Sequence, residues 1–313
     1  MNLLASFRYL VALDEHRHFG RAAQASHITQ PALSNALRAL EKEFGVLIVK
    51  RGQNYAGLTP EGERVLAAAQ RMLREREALS QELASLEGQP VGRLRLGAVP
   101  TAMPIAARFA ARLRARHPGI RPVVVSMTSS ALEEGVQDLS LDLALGYIER
   151  LGADHARLAT QQQYTEHYFL LRRAAGRTAE LRVGDPVDWH EAAREPLCLL
   201  TPDMHNRQIV DDAFTQAGIA VEPAIETNSI LTLALSVAAG DVCSVLPGAL
   251  VAVVRGQGEL EALPLTAPDV RTPIGFIRAR SAQPTRAIDA AVALAEDAGW
   301  LAHAAAHSGS LGR

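Results

Sequence analysis

Aromatic residues are scarce in this chain of 313: 2 Trp, 5 Tyr and 7 Phe. Cores with so few rings must be aliphatic, and 54 alanines point to extensive helix. Cysteine is scarcer still. Two thiols exclude a disulfide scaffold or a four-Cys zinc site and suit a reducing cytosol. No run approaches the roughly 20 apolar residues of a membrane helix. The opening MNLLASFRYL has neither a basic n-region nor a small-residue cleavage site, so a cytoplasmic protein without a membrane partner is expected. There is no Gly-x-Gly-x-x-Gly after a strand, no Walker loop and no Gly-x-Ser-x-Gly elbow. His16, His18 and His27 lack ligand spacing. No catalytic residue, metal or cofactor is therefore expected.

What is there suits a folded protein of two or three domains, with 48% hydrophobic and 21% charged residues. The net charge of −2 conceals a gradient. Residues 1–60 carry seven Lys and Arg against four Asp and Glu, residues 61–90 four against six, and the remainder 21 against 24. A mildly basic head on an acidic body suits contact with a polyanion.

The first 60 residues predict a winged helix-turn-helix. Phe7, Leu10, Val11 and Leu13 mark one helix, Phe19–Ala25 a second, and Thr29-Gln30-Pro31 opens a third. Thr29 caps that helix, Pro31 suits its first turn, Leu33, Leu37, Leu40 and Phe44 face inward, and Gly45 ends it. Val46–Val49, the turn Gly52–Gly57 and Leu58-Thr59 read as a hairpin wing. Residues 61–89 predict a linker helix from Pro60 towards Gly88. Val65, Ala69, Met72, Leu79, Leu83 and Leu86 form its seam, with Arg76 at the remaining position, which predicts dimerisation. Beyond a hinge at 88–92, strands alternate with helices through residues 90–313. That pattern predicts two α/β lobes with parallel strands, lobe I near 93–163 and 267–302 and lobe II near 164–266, closed by one helix Pro284–Ala298.

Ala22-Ala23-x-Ala25, Thr29-Gln30-Pro31-Ala32-Leu33-Ser34, Leu40-Glu41-x-Glu43-Phe44-Gly45-Val46, Arg51 and Leu58-Thr59-Pro60-Glu61-Gly62 together resemble the N-terminal signature of the LysR-type transcriptional regulators. The order and spacing hold over about 60 residues. The resemblance implies two α/β lobes of periplasmic-binding-protein-like type and a dimer of dimers. It also implies binding of double-stranded DNA at a pseudo-palindromic operator and of a small-molecule effector between the lobes, with RNA polymerase as a further candidate partner. Asn35-Ala36 and Ile48-Val49 depart from the family's commoner residues, and because the helix face of Asn35-Ala36 is the one that would read bases, no operator sequence is inherited.

The residues also argue for DNA binding directly. A major-groove helix needs short polar side chains and close approach, which Thr29, Gln30, Pro31, Ser34, Asn35 and Arg38 supply. Lys50, Arg51 and Thr59 are placed for phosphates. For the effector, ligands settle beyond strand ends at helix starts. The resemblance implies that such turns face the interlobe cleft, which makes Pro100, Thr101, Thr128, Ser129 and Tyr147 of lobe I the candidates, with Thr201, His205 and Asn228 added from lobe II, and their hydroxyls and amides favour a small anion such as a carboxylate. Members of the family can sense peroxide through paired cysteines, yet Cys198 and Cys243 lie in apolar runs and read as buried structural thiols. The rival readings are a cytosolic small-molecule sensor with only non-specific DNA affinity, and an enzyme built on the two-lobed fold.

Overall fold

The computed structural model describes residues 2–50, 55–84, 89–151, 157–280 and 285–308. They form two compact units, residues 1–87 with 138–140, and 88–137 with 141–313.

In the first unit, α1 (Leu3–His16), α2 (Phe19–Ala25) and α3 (Gln30–Phe44) are each started by a side-chain cap, from Asn2, His18 and Thr29. Gly45 ends α3 at φ 68°, where a side chain is disfavoured. Phe7, Leu10, Leu13, Ala22, Ala23, Leu33, Leu37 and Leu40 pack together with Ile48 and Leu58 from the wing. Phe44 departs from expectation: it is 43% exposed and stacks on Phe7 at 6.3 Å between ring centroids. The base of the wing is an antiparallel bridge, Val49 to Leu58, fastened by Glu41, whose Oε1 accepts from the Ile48 and Val49 amides at 2.9 and 3.2 Å. The expected turn at 52–57 falls partly outside the described residues.

The linker helix α4 (Pro60–Ala84) begins where Thr59 Oγ1 accepts from the Gly62 amide at 2.9 Å. A Cβ at Gly62 would collide with the Ile48 carbonyl oxygen, so the first turn of α4 lies directly on the wing backbone. The predicted seam divides in two. Ala69 is fully buried in the head core and Val65 packs against it, whereas Met72, Leu79 and Leu83 are half exposed. Leu86 lies outside the described residues.

The second unit centres on β1 (Gly92–Ala98), β2 (Ile120–Ser126), β3 (Leu143–Tyr147) and β4 (Leu158–Arg173). It continues with β5 (Arg182–Val183), β6 (Val187–Asp188), β7 (Cys198–Leu200), β8 (Ile225–Thr227), β9 (Ser244–Pro247), β10 (Leu260–Thr266) and β11 (Arg271–Ala279). The main sheet runs β2-β1-β3-β11-β4-β10-β5, with β6 joining β10 and β9 joining β4. β1 is parallel to β2 and β3, but β11 is antiparallel to both β3 and β4, and β10 and β9 are antiparallel to β4. The sheet is thus mixed, not parallel throughout. β4 spans both lobes: residues 158–167 pair with β11 in lobe I, and 168–173 with β9 and β10 in lobe II.

Lobe I is covered by α5 (Met103–Arg116), α6 (Ser129–Gln137), α11 (Arg286–Ala295) and α12 (Ala298–Ala306). Lobe II carries α7 (Trp189–Ala192), α8 (His205–Gln216), α9 (Ile230–Ala239) and α10 (Gly248–Val251). The single closing helix expected at 284–298 is in fact two. Asp297 accepts from the Trp300 amide at 2.9 Å and so starts a new helix, and Trp300 is buried with its indole N–H donating to Gln163 Oε1 at 2.6 Å. No helix among the described residues is long and apolar enough to cross a membrane.

Candidate functional site

On α3, Gln30, Pro31, Ser34, Asn35 and Arg38 recur at helical spacing on one stripe, while Leu33, Leu37 and Leu40 are buried on the other. Gln30, Pro31, Asn35 and Arg38 are exposed and Ser34 is half-buried. Thr29 accepts from the Ala32 amide at 3.4 Å, so its hydroxyl serves the cap. Lys50 is exposed beside the wing, its amide donating to the Gly57 carbonyl at 3.0 Å. Thr59 is half-buried, its hydroxyl donating to the Leu47 carbonyl at 2.5 Å as well as capping α4. Arg51 lies outside the described residues.

The second site lies between the lobes of the second unit. Pro100, Thr101, Thr128, Ser129, Tyr147 and His205 line one narrow cleft with Asn206 and Met204, and it is closed to about 10 Å³, less than one water. Three helix starts meet there: the turn before α5, α6 at Ser129 and α8 at His205. The turn and α8 have no side-chain cap, whereas Thr128 accepts from the Ala131 amide at 3.4 Å in α6. Thr101 and Tyr147 share a hydrogen bond of 2.8 Å between their hydroxyls, and the Tyr147 ring meets the His205 ring edge-on at 4.7 Å.

Not every polar atom in this region is satisfied. Ser129 Oγ, Thr201 Oγ1 and His205 Nε2 are buried without a hydrogen-bond partner. Arg150 Nη1 stands 3.0 Å from His205 Nδ1, and a guanidinium only donates. Gln208 Oε1 also stands 3.1 Å from Nδ1, while Nε2 has Glu149 Oε1 3.6 Å away, beyond hydrogen-bond reach. Asn228 is placed elsewhere, in an apolar groove that shares only Pro100 with the cleft.

The sequence reading missed a polar cluster at the lobe crossing. Tyr164, Glu166 and Tyr168 alternate along β4 and are all buried. Tyr164 OH donates to Glu166 Oε1 at 3.4 Å, Asn206 Nδ2 donates to Tyr168 OH at 3.3 Å, and Tyr168 OH meets Thr272 Oγ1 at 3.3 Å. Glu166 is fully buried, its Oε2 unpartnered, and burial raises its carboxyl to about 8. The same burial raises Tyr147, Tyr164 and Tyr168 well above the usual phenol range. The available signal was the period-two spacing Tyr164-x-Glu166-x-Tyr168.

Both cysteines are buried and unpaired. Desolvation raises Cys198, and it raises Cys243 to about 11, with Glu195 adding to the effect and Arg172 opposing it. Among the described residues no group of three His, Cys, Asp or Glu could hold a metal ion.

A capped head displaying a polar stripe, followed by a two-lobed unit with a polar cleft, is the architecture of a DNA-binding regulator with an effector-binding domain. Residues 4–63 match the bacterial regulatory helix-turn-helix protein profile of the lysR family, and residues 87–300 match the LysR substrate binding domain. The chain belongs to the LysR family of transcriptional regulators. It is 29% identical over 284 residues to the DNA-binding transcriptional dual regulator OxyR of Escherichia coli K12, covering 88% of each chain. It is 36% identical over 155 residues to an SDS degradation transcriptional activation protein of Pseudomonas sp., a match spanning about half of either chain. Full-length OxyR of Pseudomonas aeruginosa has a similar structure, with TM-score 0.68 and 26% identity over 93% of this chain and 96% of that one. Full-length CbnR, solved with its target DNA, shares the fold at TM-score 0.68 and 19% identity over 96% of this chain and 99% of that one.

Proposed function

We propose that this regulator binds a pseudo-palindromic DNA site and that a small anion, such as a carboxylate, held between its lobes controls that binding. The observation that carries the effector reading is the pair of buried, unpartnered atoms Ser129 Oγ and His205 Nε2 in the cleft, at the starts of α6 and α8, with Thr201 Oγ1 after β7 a third such atom outside the cleft lining. Each such atom costs roughly 1–3 kcal/mol when unsatisfied, a cost that an anionic ligand would remove. Thr101 and Thr128 complete the cleft's hydroxyl lining. An effector controls DNA binding only if it favours one lobe arrangement over another.

On the head, Gln30, Pro31, Ser34, Asn35 and Arg38 would meet base edges with Thr29 starting their helix, and Lys50 and Arg51 would meet phosphates, while the Thr59 hydroxyl is engaged by the Leu47 carbonyl and the cap of α4. The exposed Met72, Leu79 and Leu83 of α4 would be covered by a second copy, as a dimer and then a dimer of dimers requires. RNA polymerase is the further partner such a protein would meet on DNA.

Peroxide sensing, suggested by the names of several relatives, suits this chain poorly. Peroxide reacts with accessible thiolates, whereas Cys198 and Cys243 are buried and held as thiols. The Pseudomonas relative is named for degradation of SDS, itself an anion.

The test is recovery of sheared genomic DNA by the purified protein at about 150 mM salt, where non-specific binding is weak. Enrichment of a few dyad-symmetric intergenic sites, altered by metabolite extract, is expected. Uniform recovery would replace specific regulation with the sensor reading.

A further inference from the structure

We infer that the effector is a zwitterion, an amino acid whose carboxylate meets Ser129 in the cleft and whose ammonium meets Glu166 and Glu149 at the lobe crossing. The inference rests on the cleft being the effector site and adds a second charge to the carboxylate proposed there.

The sheet brings both carboxyls to the cleft. Tyr147 is level with Ile274, and Ile274 with Tyr164 on the other side of β11. Glu166 follows two residues on, level with Thr272, so Tyr147, Tyr164 and Glu166 share one face. Tyr147 and Asn206 are walls of the cleft, and Asn206 Nδ2 donates to Tyr168 OH at 3.3 Å. Glu166, between Tyr164 and Tyr168 on the strand, therefore lies behind those walls. Glu149, two residues beyond Tyr147, approaches from the edge. Its Oε1 is 3.6 Å from Nε2 of His205, a third wall. The charges of Glu149 and Glu166 both act on Tyr147, and that of Glu149 acts on Glu166.

Neither carboxyl is paired with a Lys or Arg among the described residues. Arg150, in the turn that carries Glu149, is held by Glu133 at 3.1 Å and stands beside His205. Glu166 is fully buried with Oε2 unpartnered, and burial raises its carboxyl to about 8. The cleft region is thus two-ended. Ser129 Oγ, unpartnered on a residue only 9% exposed, and the first amides of α6 offer donors. The sheet end offers two carboxyls and no cation. A simple carboxylate would fill the first end and leave the second uncompensated. An ammonium there favours the ionised form of Glu166, and the released proton passes to solvent. The other titratable groups facing Glu166 are Tyr164 and Tyr168 of β4, Tyr147 of β3 and Glu149 of the turn after it. From α8 come the neutral Asn206 and, at the cleft wall, His205.

Calorimetry on the full-length protein tests this by comparing each amino acid with the acid in which hydrogen replaces its ammonium. The pairs are glycine and acetate, alanine and propionate, valine and isovalerate, aspartate and succinate, and glutamate and glutarate. At pH 7.5 at least one amino acid should bind about tenfold or more tightly than its partner, as a charge-assisted hydrogen bond implies. Its affinity should rise about eightfold from pH 6.5 to 7.5 and level off above 8, with up to about one proton released per site. Glu166→Gln, which keeps the shape, should remove both the preference and the slope, and Glu149→Gln should reduce the preference. Ser129→Ala should weaken the amino acid and its partner alike. Equal affinity within every pair, with both members weakened by Ser129→Ala, overturns the ammonium and leaves the cleft standing. A preference unchanged in Glu166→Gln overturns the assignment of the ammonium to that carboxyl. The slope is read on the wild type, so it does not depend on a variant folding. A slope of opposite sign, as a carboxylate repelled by ionised Glu166 would give, also overturns the proposal. Binding indifferent to Ser129→Ala, or no binding by any of the ten compounds, overturns the cleft reading with it.

Discussion

The polar stripe of α3 and the interlobe cleft are built in opposite ways. On α3 the polar side chains stand in water above a closed aliphatic core, so each can be exchanged with little cost to folding. Between the lobes the polar groups are buried or half-buried, and Ser129, His205 and Glu166 each keep an atom without a partner. A surface that reads DNA can be complete before its ligand arrives. Under the function proposed above, the cleft's unsatisfied groups are ones that a ligand's arrival would relieve.

The largest effect should come from breaking the support of the stripe. Gly62→Val places side-chain atoms against the Ile48 carbonyl, where α4 meets the wing. Overpacking of this kind costs about 1–3 kcal/mol. The head should melt earlier in a thermal scan and DNA affinity should fall, while effector binding is unchanged. Wild-type head melting in this variant would show that the junction tolerates the side chain.

Glu166 gives the matching test in the cleft region. Its folded carboxyl is raised to about 8, above an ordinary value of 4.5. Between those values the folded state holds a proton that the unfolded chain has released, so the group's contribution to stability is full below pH 4.5 and is lost as pH rises through 8. The slope approaches about 1.4 kcal/mol per pH unit. From pH 5.5 to 7.5 the wild type should lose about 2 kcal/mol in urea unfolding relative to Glu166→Gln. Parallel curves for the two proteins would mean that the carboxyl ionises normally.

The two regions were not equally legible in the sequence. The head is written in local signals: Thr29 as a cap, Gly45 at positive φ, and Leu33, Leu37 and Leu40 at helical spacing. The helix starts in the cleft were legible for the same reason. What escaped depends on long-range pairing. β4 is hard to read because Gln161, Gln162, Gln163 and Glu166 disguise its first half, which pairing with β11 holds extended. β10 was missed altogether, since Pro264 argues against an inner strand. In the sheet, β5 pairs Glu261 and Ala262 and β6 pairs Leu265 and Thr266, so Pro264 falls in the gap between two short neighbours and its missing amide matters little. Phe44 was misplaced because helical spacing does not reveal that Phe7 would cover only one face of its ring.

Smaller effects sharpen the contrast within the stripe. Asn35→Ala should leave the melting temperature unchanged and lose about 1–3 kcal/mol of discrimination at one base position. Lys50→Ala should weaken binding to every sequence alike and reduce the salt slope by about one phosphate's worth, near 0.9. A loss of base preference in Lys50→Ala would move that residue from phosphate to base contact.

The smallest expected effect concerns the thiols, and it separates this chain from the relatives named for hydrogen peroxide. Cys198 and Cys243 lie on adjoining segments of lobe II, where the Cys198 amide donates to the Cys243 carbonyl at 2.8 Å. Sequence spacing alone gives no hint of that closeness, and it invites a redox reading. The surroundings oppose it. Burial raises both thiols, and Arg172 does not outweigh burial and Glu195 at Cys243. At neutral pH the thiolate fraction is therefore small, and neither sulfur is accessible. Cys198→Ala with Cys243→Ala should cost little stability and leave the affinity for DNA, with and without peroxide, at the wild-type value. A peroxide-dependent shift in the wild type that disappears in the double variant would show that lobe II opens enough to expose these thiols, and would move the signal from the cleft to the strands behind it.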